Sequence, residues 1–232
     1  MKEIRWVCVL LSIVLSSLFF DCARVPHKNY YTLNYMPQPI INRHMDEPYP
    51  YIIRLKEFSI EEAYNRSQIV YRLSPFELRY YIYRVWAVRP TRMITDLVYK
   101  HLTSINLVSG VVRRFDEARR PDYELTGMIE ALEEYDSEDI TFAHLAMRID
   151  LTRIEDGRNV YNRRFDLRKK VYRQEPEFVI RELSAIMEYI MTQALMDIDT
   201  KLAKEYGLMK KSDDGISEQD AYSSEISDSS GF

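Results

Sequence analysis

The sequence predicts an α/β (α+β) fold, a mixed, mostly antiparallel sheet with two main helices packed on it in a single domain. Several segments alternate apolar and polar residues with the period of a half-buried strand. Two other segments, after Pro90 and after Pro176, repeat apolar residues at the helical spacing of three and four. The 232 residues, 46% of them hydrophobic, suffice for one folded core.

The first predicted hairpin and helix lie within residues 69–105. Residues 69–73 alternate as a strand, which ends near Pro75 because proline has no N–H to give to a ladder. Residues 77–88 return as a second strand, rich in tyrosine and β-branched residues. A helix follows with Thr91 as its expected N-cap. Its apolar face is predicted to contain Ile94, Leu97, Val98, His101, Leu102 and Ile105.

Five further strands are predicted by the same alternation. They cover residues 51–55, 110–115, 123–130, 143–151 and 159–172. The turn Asp156-Gly157 joins the last two, because Asp-Gly supplies the positive φ that tight hairpins require. The segment Glu133-Glu134, Asp136, Glu138 and Asp139 is acidic, and we expect it to form a loop.

The second helix is predicted from Pro176 to about Tyr206, with Gly207 as its C-cap. Its apolar stripe contains Val179, Leu183, Ile186, Ile190, Ala194, Ile198 and Leu202. Residues 207–232 are rich in Ser, Asp and Glu, and this composition predicts a disordered acidic tail. The α/β domain itself is predicted to span residues 51–206.

The N-terminus has the pattern of a secretion signal. Lys2 and Arg5 precede an uncharged apolar run over residues 6–20, which is too short for a membrane span. This segment resembles a bacterial lipoprotein signal, so residues 1–21 are expected to be a signal peptide and Cys22 a lipidation site. An uncleaved membrane anchor and a chance cysteine remain alternatives. Residues 22–50 contain five of the nine prolines and are expected to form a lipid-anchored tether or a strap along the domain.

Composition excludes some classes of function. The net charge of −4 gives no electrostatic argument for nucleic-acid binding. With only Cys8 and Cys22 present, a mature chain would have no internal disulfide framework and no zinc site built from cysteine pairs.

The sequence contains no strong candidate for a catalytic site. The sequence has no glycine-rich phosphate loop and no recognisable hydrolase or metalloprotease motif. We interpret His101 as a helix histidine held in or near the core, and His144 as a solvated residue on a strand. The acidic segment 133–139 lacks the ligand spacing of a calcium loop. We therefore expect no catalytic residue, no metal and no cofactor.

An aromatic cluster indicates a surface for a partner. Tyr80, Tyr81, Tyr83 and Trp86 lie on one predicted strand, and successive residues of a strand point to opposite faces. One face can be core, whereas the other needs a covering segment or a protein or lipid partner. Core packing is the main interpretation for Trp86, and the cluster is the candidate partner surface.

These features together resemble the ABC-type transport auxiliary lipoprotein family, whose members are partners of MCE-type (mammalian cell entry) phospholipid transport systems. The resemblance covers roughly residues 22–205. The matching residues are Cys22, Tyr30-Tyr31-Thr32-Leu33, Val70-Tyr71-Arg72, Tyr80-Tyr81, Trp86, Pro90, Met93, Leu97 and Asp122-Tyr123-Glu124-Leu125-Thr126-Gly127.

The resemblance implies a non-catalytic protein that docks a periplasmic MCE assembly at the outer membrane, where Cys22 would carry the lipid. The implied partners are an MCE-domain protein and an ABC transporter permease and ATPase complex. A homo-oligomer would also fit a docking role. Two alternatives are another envelope lipoprotein, such as an activator of a peptidoglycan synthase, and a hydrolase that uses the acidic segment beside His144.

Overall fold

The computed structural model describes residues 27–40, 43–114, 120–137, 140–172 and 175–228, with side chains described up to residue 207. In these residues one mixed sheet of nine strands packs against two α-helices. The predicted fold class is confirmed, including both helices and a single sheet.

The elements follow one another in a simple order. They are β1 (Asn29–Tyr31), β2 (Tyr49–Leu55), β3 (Ser59–Ile60), a 3-10 helix (Glu62–Tyr64), β4 (Gln68–Ser74), β5 (Glu77–Trp86), α1 (Pro90–Ile105), β6 (Val108–Val112), β7 (Tyr123–Ser137), β8 (Ile140–Arg153), β9 (Asn159–Val171) and α2 (Pro176–Asp228).

Strand β7 is the centre of the sheet. Along one edge it pairs with β8 in antiparallel register over its whole length, and β8 then pairs with β9. Along its other edge it pairs in turn with β2, β3 and β4, all in parallel register. The β2 branch continues to β6, and the β4 branch continues through β5 to β1. The sheet therefore divides on one side of β7 into two separate branches.

The main core lies between the helices and one face of this sheet. Helix α2 packs on β8 and β9, and α1 packs on β3 and β6 and touches α2. All seven residues predicted for the apolar stripe of the second helix are buried. A smaller core on the opposite face contains Tyr64, Val70, Ala131 and Ala146, and it is covered by the segment around the 3-10 helix.

The described part of the proline-rich segment packs on the domain as a strap. Strand β1 pairs in parallel with the last three residues of β5, and Leu33, Tyr35 and Ile40 are buried in the core. The Tyr35 hydroxyl lies 3.1 Å from Nδ1 of His101, which is fully buried on α1. Burial lowers the pKa of His101 to about 4, so this ring is neutral at pH 7, as expected of a core histidine.

A buried aspartate on α2 holds the far end of the strap. Asp199 accepts hydrogen bonds from the backbone N–H of His44 at 3.0 Å and from the hydroxyl of Tyr49 at 2.8 Å. Its Oδ2 also lies 2.9 Å from Nδ1 of His44. Burial alone would raise the pKa of Asp199, but these hydrogen bonds keep it below its usual value. The strap is thus attached to α2 by a charged group.

Three local predictions were wrong. The acidic segment is not a loop over residues 133–137, because β7 continues to Ser137, whereas Glu138 and Asp139 lie outside the described residues. Thr91 is not the N-cap of α1, since Arg89 takes that position and Pro90 begins the helix. Gly207 is not a C-cap either: the α2 backbone stays helical to Asp228, through a segment whose composition predicts disorder.

Candidate interaction surface

The β4–β5 hairpin presents apolar side chains to solvent. Its turn is Pro75-Phe76, and the Ser74 hydroxyl accepts backbone N–H bonds from Phe76 and Glu77 at 3.3 and 3.1 Å. The Phe76 side chain at this turn is 98% exposed. A phenylalanine fixed at the tip of a hairpin contributes nothing to the core, so it is available to another molecule.

A wide bulge in β5 exposes further apolar residues of the same hairpin. Val70 of β4 pairs with Tyr80, but Gln68, only two residues earlier, pairs with Val85. The four residues 81–84 of β5 therefore lie opposite Ile69 alone, and the strict alternation of the strand is lost there. Ile82 becomes 71% exposed, and Tyr83 is also exposed beside it.

The four residues predicted as a partner surface have different environments. Tyr80 and Tyr83 are exposed, whereas Tyr81 is only partly buried and Trp86 is 4% exposed. Trp86 packs in the main core, as its main interpretation predicted, and it cannot form part of a contact surface in this structure. The exposed set is Phe76, Tyr80, Ile82 and Tyr83, which we call the hairpin surface.

Sequence reasoning missed two members of the hairpin surface, Phe76 and Ile82. The Ser-Pro-Phe order at a predicted turn was the available signal for Phe76, because a turn residue is seldom buried. The exposure of Ile82 depends on the bulge, which a pattern of alternating residues does not reveal.

The edge of β5 next to the hairpin surface is open. Strand β1 pairs only with the residues 84–86, so among the described residues no strand pairs with the outer edge of residues 77–83. An open edge can receive a further strand from another chain, which would form backbone hydrogen bonds along it. The apolar side chains beside this edge would then contact the same partner.

Two contacts give the hairpin surface a defined shape. The guanidinium carbon of Arg66 lies 3.7 Å from the centre of the Tyr80 ring, so a cation holds that ring from one side. Beneath the bulge, the Tyr81 hydroxyl donates to the Glu134 carboxylate at 3.1 Å. Burial raises the pKa of Glu134, and the Tyr81 hydrogen bond partly offsets this rise. The bulge therefore rests on a buried polar contact.

A second polar cluster joins four strands and the 3-10 helix on the face of the sheet opposite the α-helices. Nδ1 and Nε2 of His144 lie 3.0 Å and 2.9 Å from the carboxylates of Glu133 and Asp166. Glu133 also accepts bonds from Arg72 at 2.9 Å and from the Tyr64 hydroxyl at 2.7 Å. The interpretation of His144 as a solvated residue was wrong, because its side chain is buried between these two carboxylates.

This cluster is suited to structure more than to catalysis. Burial would raise the pKa of Glu133, yet the bonds from His144, Arg72 and Tyr64 keep it below its usual value. Within the described residues, no serine, threonine or cysteine hydrogen-bonds to His144, so this histidine is not paired with a hydroxyl or thiol nucleophile of the Ser–His or Cys–His type. It connects β4, β7, β8 and β9 by charged hydrogen bonds.

The alternation of β7 alone would place Glu133 on the same face as Tyr123. The register shift between Ile129 and Ala131 reverses the alternation and puts Glu133 on the opposite face of the sheet, with Ala131. The partners that permit its burial come from other strands, so they cannot be identified from local sequence.

Two other sequence predictions concern metals and membranes. The described side chains include no group of His, Cys, Asp and Glu placed to hold a metal ion. None of the described helices has a stretch both long and apolar enough to cross a membrane. Cys22 and the predicted signal peptide 1–21 lie outside the described residues, so lipidation stays a prediction.

Two solved structures have a fold similar to that of this chain. The chain is similar to the crystal structure of protein XCC0632 from Xanthomonas campestris, with a TM-score of 0.67 and 17% identity, over 77% of this chain and 99% of that one. An uncharacterized protein of known structure is similar at a TM-score of 0.53 and 12% identity, over 78% of this chain and 99% of that one. At such identities the likeness concerns the fold alone.

Sequence comparison identifies the family. No curated protein sequence matches the chain. A family model does match, and the matched residues extend from the end of β1 through the hairpin surface, β7 and about the first third of α2. The chain, over residues 31–194, therefore belongs to the family of ABC-type transport auxiliary lipoprotein components.

Proposed function

We propose that this protein is a non-catalytic lipoprotein of the cell envelope that docks an MCE-type ABC phospholipid transport assembly at the outer membrane. The observation that carries this proposal is the family match over residues 31–194. A member of an auxiliary family is expected to act by binding other components. The hairpin surface and the open β5 edge supply a place for such binding.

The proposed partner is an MCE-domain protein, which in turn contacts the transporter permease and ATPase. The hairpin surface offers three features that recur in binding sites for other proteins. It has exposed aromatic side chains, a strand edge with which no described strand pairs, and a hairpin tip that projects into solvent. A second copy of this chain could use the same edge, so the oligomeric state belongs to the same test.

The proposed anchor is an acyl group on Cys22. The proline-rich segment after Cys22 then runs into the strap, which is attached to the domain through β1 and through Asp199. A lipid placed at Cys22 would thus hold the folded domain near the membrane surface. Two or three acyl chains are needed for stable anchoring.

Co-purification tests the proposed partner. The full chain and its Phe76→Asp/Ile82→Asp variant would be isolated from membranes together with their bound proteins, which are then identified by mass spectrometry. Tyr172→Asp/Ile154→Asp is the matched control, because these two side chains are also exposed but lie outside the hairpin surface. We expect the wild-type and control chains, but not the hairpin variant, to retain an MCE-domain protein.

Three results would contradict this proposal. A peptidoglycan synthase in place of an MCE-domain protein would support the alternative envelope role. Retention of the MCE-domain protein by the hairpin variant would show that the docking site lies outside the hairpin surface. If the only copurifying protein is the chain itself, measured by light scattering as a stable oligomer, the hairpin surface would be a contact between copies.

Intact mass tests the anchor. The mature protein from membranes should have the mass of a chain that begins at Cys22 plus its acyl groups, and Cys22→Ala should lack both changes. An unmodified mass that still includes residues 1–21 would show an uncleaved anchor instead. Docking at the outer membrane would then be excluded, because an uncleaved anchor holds the chain in the inner membrane.

A further inference from the structure

A cleft beside the first turn of α1 is lined by arginine side chains. Its volume is about 400 Å³, and Arg89, Arg92, Arg113 and Arg114 contribute to its walls. Two of these arginines come from the start of α1, and two follow directly after β6. The cleft is formed by different elements from the hairpin surface, and the proposed docking role does not use it.

The carboxylates of the cleft do not neutralise these arginines. Glu57 accepts a hydrogen bond from the Thr91 hydroxyl at 2.9 Å, and Asp96 accepts one from Arg113 at 2.7 Å. Among the described residues that line the cleft, four guanidinium groups against two carboxylates leave two positive charges in excess. Of the described carboxylates, none forms an ion pair with the other three arginines of the cleft.

The N-terminus of α1, which faces this cleft, has a basic residue where an acidic residue would stabilise the helix. The N-terminus of an α-helix is the positive end of its dipole, so acidic residues stabilise the first turn and basic residues weaken it. The first turn of α1 contains Arg92 and no acidic residue, and no side chain caps it. A bound anion would be stabilised by both the dipole and the arginines.

Backbone donors are also available at this helix end. The first helical backbone bond runs from the Met93 N–H to the Arg89 carbonyl at 2.9 Å. The N–H groups of Thr91 and Arg92 precede it and have no acceptor among the described residues. Such free amides at a helix start are the donors that phosphate groups use in many proteins.

One wall of the cleft is held in place. The guanidinium carbon of Arg113 lies 4.2 Å from the centre of the Tyr99 ring, while its Nη1 contacts Asp96. Arg113, which follows β6, is therefore held against Tyr99 and Asp96 of α1. Arg89, Arg92 and Arg114 are exposed, and neither an ion pair nor a ring contact fixes any of them within the described structure. These three side chains are free to turn towards a ligand.

We propose that this cleft binds a phosphate-bearing anion, either free phosphate or the phosphodiester of a lipid headgroup. The excess positive charge favours a phosphate group, which is anionic at pH 7 both as the free ion and as a diester. Guanidinium groups suit phosphate oxygens because they donate two parallel hydrogen bonds. The inference rests on the cleft alone and would stand if the proposed docking partner were wrong.

Isothermal titration calorimetry of the full chain in non-ionic detergent tests this site. One titrant is inorganic phosphate, and the other is glycerophosphoglycerol, the soluble headgroup of phosphatidylglycerol. The test variant is Arg89→Gln/Arg92→Gln. Its matched control is Lys100→Gln/Lys201→Gln, which also removes two exposed positive charges but lies away from the cleft.

We expect at least one titrant to bind, and the test variant to bind it about tenfold more weakly, since two charged hydrogen-bond donors are lost. The control should change affinity by less than about twofold, because distant exposed charges are screened by salt. Tighter binding of phosphate indicates a free ion as the ligand, and tighter binding of the diester indicates a headgroup. Either result supports the site.

The site is excluded if neither titrant binds the wild-type chain, or if the control weakens binding as much as the test variant. A melting curve of each variant separates lost binding from lost folding. If Arg89→Gln/Arg92→Gln unfolds, Arg114→Gln alone takes its place, because Arg114 lies outside every helix and strand. Unchanged binding by a folded Arg114→Gln would then overturn the proposal.

Discussion

Phe58 occupies the space where a β-carbon on Gly127 would lie. A β-carbon built there would be 2.5 Å from Cδ2 of the Phe58 ring, which is closer than packed carbon atoms can approach. Phe58 is fully buried and lies between α1 and the centre of β7. Gly127 closes the Asp122–Gly127 segment by which the sequence resembles its family, so this packing gives the glycine a physical reason.

Gly127→Ala should therefore destabilise the fold. We expect the free energy of unfolding to fall by about 1–3 kcal/mol, because the buried ring must move to make room. Gly110→Ala on β6 is the matched control, since the nearest atom to its added β-carbon would be Cγ1 of Ile52 at 3.7 Å. Urea denaturation measures both. Equal losses in the two variants would contradict the packing argument.

Glu133→Gln should destabilise the protein in a pH-dependent way. At pH 7 we expect a loss of about 3 kcal/mol, because Arg72 and His144 lose their charged partner in a buried cluster. The folded-state pKa of Glu133 lies below its usual value, so its contribution is fully present above that usual value and is lost as the pH falls through the folded-state pKa.

The difference between wild type and Glu133→Gln should accordingly shrink below about pH 4. Denaturation curves from pH 3 to pH 8 give the profile. Glu61→Gln is the control, since Glu61 is exposed and has no ion pair among the described residues. A loss that does not change with pH would show that Glu133 acts by shape and not by charge.

Asp199→Ala should release the strap. The hydroxyl of Tyr49 and the backbone N–H of His44 would lose their acceptor, at a cost of about 1–3 kcal/mol. Hydrogen exchange at residues 43–49 should accelerate before the rest of the domain opens. Asp197→Ala is the control. Asp197 lies on the same helix as Asp199, and its substitution removes a half-exposed ion pair with Arg163 of β9. Unchanged exchange at residues 43–49 would contradict the attachment.

Substitutions at a buried and at an exposed position of β5 should have very different effects on stability. Trp86→Ala should cost about 3–5 kcal/mol of stability, because it empties a large space in the core. Ile82→Ser should change stability by less than about 0.5 kcal/mol, because the side chain is mostly exposed. Thermal melting of both variants measures the difference. Similar costs at both positions would mean that the bulge does not expose Ile82.

The sequence predicted the elements whose partners are local or whose pattern is long. The apolar stripe of α2 and the Asp156-Gly157 hairpin are examples, and Gly157 has the expected positive φ of 68°. The two-residue strand β3 was missed, because it exists only by pairing with β7 nearly seventy residues later. Parallel pairing of this kind leaves no signal in a short window of sequence.

The site was harder to predict for the same reason. Glu133 reads as a loop residue until His144 and Asp166 are placed beside it by strand pairing. Trp86 and Tyr83 read alike in sequence, yet the bulge buries one and exposes the other. The charge excess of the arginine cleft depends on bringing the end of β6 to the start of α1, which only the fold does.

The position of β7 also affects how the chain can fold during synthesis. Strands β2, β3 and β4 all emerge before β7, yet each needs a different part of its edge. Until residues 123–137 have been made, these earlier strands lack a common partner and the β2 and β4 branches cannot be joined. Pairings over such long sequence separations are slow to form. The first half of the chain therefore stays open until the second half arrives, and a chain cut short before residue 123 should not fold at all.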